Sequence, residues 1–66
     1  MATTTTDQVL RLSRAYNDAV RAYGGAITRK AADPSPENVA AHEEAHQAVI
    51  ATDYALHMAA RALYEI

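Results

Sequence analysis

Sixty-six residues with no cysteine, three histidines and a net charge of −2 make one small domain near the lower size limit for a self-sufficient core. They exclude a disulfide scaffold, and the weak negative charge offers no general attraction to a DNA or RNA polymer. Half of the residues are apolar, but 16 of them are alanine and Phe and Trp are absent; at roughly 25 cal/mol per Å² of apolar surface, the chain has little to bury.

The segment from Met1 to Asp7 lacks the basic and apolar regions of a signal peptide. No apolar run reaches the ~18 residues of a membrane span. A cytoplasmic protein without membrane contact is expected. The first helix is predicted over about residues 6–32, opened by a capping box between Thr5 and Gln8. Val9, Leu12, Tyr16, Ala19, Tyr23 and Ala26 follow in alternating steps of three and four, and Val20 and Ile27 widen that stripe. Arg11, Arg14, Asp18 and Arg21 fall on the other side. Gly24-Gly25 weakens this helix by about 1 kcal/mol per glycine relative to alanine. The pair fits a close helix crossing or mild kink, the approach of a ligand or partner backbone, or a break into two short helices.

The turn is predicted at 33–35. Pro34 disfavours helical backbone at the residue before it, so the first helix must stop near Ala32 or Asp33. Ser35 is a good N-cap, Pro36 suits a first helical turn, and Glu37 places negative charge at the positive end of the next helix. The chain therefore reads as an α-hairpin. A hairpin encloses no interior, so a binding site is expected where copies meet.

The second helix is predicted over about residues 36–65. His42, Val49, Leu56 and Leu63 recur every seven residues, Ala41, Ala48, Ala55 and Ala62 do so one position earlier, and Ala45, Thr52, Ala59 and Ile66 complete the seam. A row of alanines allows close helix approach. Ile50, Ala51, Met58 and Tyr64 lie outside that seam, which is more apolar surface than one partner helix covers. Residues 1–33 carry five basic and three acidic groups, and residues 34–66 carry one and five, giving +2 against −4. Opposite charges favour the helices lying side by side. The expected fold is all-α, a two-helix antiparallel hairpin assembling into a helical bundle, as a dimer or a higher oligomer.

His42-Glu43-Glu44-Ala45-His46 matches the H-E-x-x-H zinc-protease pattern. That chemistry needs a third ligand. Along the helix, His57 lies ~16 Å beyond His46 and Asp53 ~10 Å beyond it at 1.5 Å per residue, so neither closes a site within one chain. Glu43-x-x-His46 is also a di-iron spacing, but the first helix contains no Glu to complete it. Paired residues across the hairpin sum to about 68, which sets Glu43 and His46 against Gly25 and Ala22. An ordinary polar helix surface is expected here. A metal site shared between subunits, from Glu43, His46, Asp53 and His57, is an alternative.

The same pairing places Arg11 and Arg14 level with His57 and Tyr54 at the open end, with Arg61 and Tyr64 one turn further. Guanidinium groups beside tyrosines and a histidine can hold a phosphate and stack on a base. A solvated rim, with the arginines paired to Asp18, Asp53 and Glu65, is the competing expectation. Catalytic triads, phosphate-cradling glycine loops and cysteine motifs are absent from the sequence.

Ser35-x-Glu37, Ala41 and Ala48-Val49-Ile50 together resemble the second-helix pattern of small phage proteins with a cyclic-nucleotide-sponge hairpin domain, which oppose bacterial CBASS and Thoeris immunity. The resemblance implies an oligomerising hairpin that sequesters cyclic nucleotide messengers without cleaving them, in pockets of aromatic and basic side chains between protomers. In that case its place is the host cytoplasm. No site residue is carried over from it. The functional expectation is a non-enzymatic, homo-oligomeric binding protein for a small anionic ligand. It has no cofactor, and Arg11, Arg14 and Arg61 hold phosphates while Tyr54 and His57 contact a base. The alternative is a protein–protein interaction module, an adaptor or inhibitor, that presents the Ile50/Met58 face.

Overall fold

The computed structural model describes residues 4–64. Two helices account for nearly all of them: α1 over Thr6–Ala32 and α2 over Pro36–Tyr64. They pack side by side and antiparallel into a rod of 48 × 15 × 15 Å. The fold is all-α, and among the described residues there is no strand. Ile66 of the predicted seam, Glu65 of the predicted ion pairs and the predicted end of the second helix lie outside the described residues.

Local chemistry sets each helix end. Thr5 is the N-cap of α1: its Oγ1 accepts from the Gln8 backbone N–H at 3.2 Å, and Gln8 Oε1 accepts from the Thr5 N–H at 2.9 Å. Both halves of the capping box are made. At the other end Asp33 turns extended, and its N–H donates to the Arg29 carbonyl at 2.9 Å. Ser35 caps α2, its Oγ accepting from the Asn38 N–H at 3.3 Å. Asn38 also reaches back across the turn, where its Nδ2 donates to the Asp33 carbonyl at 2.7 Å and the Arg29 carbonyl at 3.4 Å. The Asp33 carbonyl thus takes its partner from the first turn of α2, and the Arg29 carbonyl, already bonded to the Asp33 N–H, gains a second donor.

Gly24 and Gly25 do not break α1, which is continuous through them. Nor do they mark a close helix crossing: a Cβ built on either would meet no atom within 4 Å. Both glycines lie on the exposed side of the helix.

The seam follows the seven-residue pattern. With Val9, Tyr16 and Tyr23 at position a and Leu12, Ala19 and Ala26 at d of α1, and with His42, Val49, Leu56 and Leu63 at a and Ala45, Thr52 and Ala59 at d of α2, every one of these residues is half-buried or buried. Thr52, the polar member, bonds its own helix, Oγ1 donating to the Ala48 and Val49 carbonyls at 2.7 and 3.2 Å. Among the described residues only Ala26 is fully buried, and Leu10, Val20, Ile27, Val39, Ile50, Tyr54, Met58 and Tyr64 are exposed large apolar side chains. Val20 and Ile27 therefore flank the stripe without entering the seam.

Candidate functional site

The H-E-x-x-H segment has a structural task. His42 and His46, one helical turn apart, are half-buried, and both rings pack on Tyr23 of α1 with centroid distances of 5.3 Å each. His46 stacks at 21° and His42 tilts at 48°. This corrects the expectation of an ordinary polar surface. The register set Glu43 opposite Gly25 and His46 opposite Ala22, but Tyr23 lies between those levels on the a row and its ring packs on both histidines. Glu43 is exposed and accepts from Gln47 Nε2, one turn on, at 3.0 Å. Among the described residues no group of three or more His, Cys, Asp or Glu side chains could hold a metal ion within one chain.

At the open end Arg11, Arg14, Tyr54, His57 and Arg61 are all exposed. Arg11 and Arg14 line a surface groove with Asp7 and Leu10, entirely on α1. Arg11 also borders a groove with Thr4, Gln8, Leu12 and Ala59 that reaches α2. A third, apolar groove at this end is lined by Val9, Ala60, Leu63 and Tyr64. None of these three contains Tyr54, His57 or Arg61. In the seven-residue pattern Arg14, Tyr54 and Arg61 occupy position f, which points directly away from the seam. Arg14 and Tyr54 are therefore level along the rod but on its two opposite outer faces. One protomer does not bring the five residues together.

His57 is held locally. Its Nδ1 lies 3.2 Å from Asp53 Oδ1 and 3.1 Å from the Asp53 carbonyl oxygen. Two acceptors around one ring nitrogen require that nitrogen to carry the proton. In the neutral ring Nε2 then faces outward with a free lone pair, able to accept an N–H of a base. Asp53, one of the acids the sequence offers to the arginines, thus carries His57.

No helix among the described residues is long and apolar enough to cross a membrane. No protein family matches the chain, and neither curated proteins nor solved structures provide a match.

Proposed function

We propose that the chain is a non-enzymatic, homo-oligomeric binding protein that sequesters a small anionic ligand between protomers. The observation that carries this reading is the placement of Arg11, Arg14, Tyr54, His57 and Arg61 on the outer surface of a hairpin with one fully buried described residue, Ala26. Cationic and aromatic groups so placed can enclose a ligand only when a second copy adds its own surface. Arginine forks suit phosphate oxygens, Tyr54 offers a stacking face, and His57 Nε2 offers an acceptor. A nucleotide uses all three, and the helix-2 resemblance narrows that class to the cyclic nucleotides.

Titration calorimetry against cyclic dinucleotides, cyclic trinucleotides and cyclic ADP-ribose isomers tests the reading. One class should give saturable heat, and Arg14→Ala and Tyr54→Ala should each weaken it by about tenfold or more, a loss of about 1.4 kcal/mol. No heat across the panel at micromolar protein sinks the proposal.

A further inference from the structure

We infer that two copies of the hairpin pair through one particular side, with α1 of each copy lying on α2 of the other. This deepens the oligomeric part of the reading above by naming the face and the arrangement. The two sides of the hairpin differ. On one side stand the e positions, Val20 and Ile27 of α1 with Val39, His46, Asp53 and Ala60 of α2, flanked by the b positions. On the other stand the g positions, where Ala22, Arg29, Ala41 and Ala48 line a shallow groove together with Ala26 and Ala45 of the d row and Glu44. Of the eight exposed large apolar side chains, Leu10, Val20, Ile27, Val39, Ile50 and Tyr64 occupy e or b positions and none occupies g. An a/d/e apolar surface is the pattern of a helix packed in a bundle rather than in a lone pair.

Charge fixes how the second copy sits. Two hairpins stacked on this side can be related by a two-fold axis along the rod, which sets α1 on the partner copy's α2. They can also be related by an axis across it, which sets α1 on α1 and α2 on α2. With +2 in the half containing α1 and −4 in the half containing α2, the first arrangement sets helices of opposite net charge side by side and the second sets like on like; no charged side chain of α1 stands at an e or b position, so this preference acts from around the apolar face. The rod measures 48 × 15 Å across its Cα atoms; a face of that size on each of two copies gives roughly 1,400 Å² in all, within the standard range for a stable pair.

An axis along the rod keeps levels matched, so residues that sum to about 68 within one hairpin also meet between hairpins. Ile27 then lies at the level of Val39 of the second copy, and Val20 at the level of its His46. The same operation places Arg14 on the same lateral surface as Tyr54, His57 and Arg61 of the second copy, residues that one protomer holds on opposite faces. The pair brings four of the five candidate residues to one surface, and Arg11, at position c, stays on the side away from the second copy.

The natural chain has no cysteine, so single introduced thiols report the geometry cleanly. In sedimentation equilibrium the full chain should have a mass of about 14 kDa, twice the 7.1 kDa of one chain, or a whole-number multiple of that pair. Oxidising Ile27→Cys and Val39→Cys chains together should give the mixed disulfide, while neither forms a disulfide alone. Val20→Glu should reduce the mass to that of one chain, and Ala48→Glu on the alanine side should leave it unchanged. A single-chain mass at every concentration, an odd-numbered assembly, like-with-like disulfides, or dissociation by Ala48→Glu but not Val20→Glu overturns the inference. The two proposals fail separately. Silent calorimetry on chains that form the mixed disulfide removes the ligand and keeps the pair; ligand heat from an oligomer that does not form the mixed disulfide removes the pair and keeps the ligand.

Discussion

Tyr23 is the side chain on which the middle of the hairpin depends. It joins α1 to two successive turns of α2 through His42 and His46, where most other seam positions are alanine, threonine or a single aliphatic residue. Removing the ring leaves both imidazoles facing a gap that a helix pair cannot close by relaxing one side alone. Tyr23→Ala should therefore cost about 2 kcal/mol, a large-to-small loss reduced for half-burial together with two ring contacts. Tyr23→Phe keeps the ring and should cost well under ~1 kcal/mol. Urea unfolding followed by circular dichroism at fixed protein concentration checks both. Equal losses from the two substitutions would show that the ring packing is not what matters.

The two helices differ in how they hold their shape. α1 has a single apolar stripe and two glycines; α2 has apolar residues on several sides. Gly25 occupies position c, away from the seam and from the e/b side, and a Cβ there meets nothing within 4 Å. Gly25→Ala should raise stability by about 1 kcal/mol through helix propensity alone, read as a higher urea midpoint with an unchanged slope. A loss of stability would mean that a neighbour, such as another copy, occupies that space. Much of this level was legible in the sequence. Thr5 and Gln8 announced the capping box, Pro34 and Ser35 the turn, and the steps of three and four the seam, because each is a local rule acting within one turn of helix. The Tyr23 stack was not legible. Register arithmetic pairs backbone levels, whereas a tyrosine ring extends beyond its own level to reach residues above and below. Asn38 was missed for a similar reason, since its two bonds cross the turn to carbonyls five and nine residues back. The open-end cluster was legible as composition and level but not as a site, because helical spacing sends Arg14 and Tyr54 to opposite faces.

As a whole molecule the hairpin exposes much of what a globular domain would enclose. Stability and assembly should then be one equilibrium, and the apparent melting temperature should depend on protein concentration. For a pair of 66-residue chains that unfold together, each tenfold increase in concentration should raise the midpoint by roughly 5 °C, from about 1.4 kcal/mol spread over the unfolding entropy of both chains. Thermal melts over a hundredfold dilution series measure this directly. A midpoint that does not move with concentration would mean that the lone hairpin is stable by itself and that pairing adds nothing to its folding.

Thr4 and Tyr64, the outermost described residues, lie at the same end of the rod, about 15 Å beyond the level of Arg14 and Tyr54 at 1.5 Å per residue. A dye on Thr4 or Tyr64 would stand at the end of the rod that carries the proposed ligand surface, and a chain tethered to a sensor chip through either residue would turn that end toward the chip. Asp33, exposed in the turn at the far end of the 48 Å rod, is the attachment point that leaves that surface facing outward.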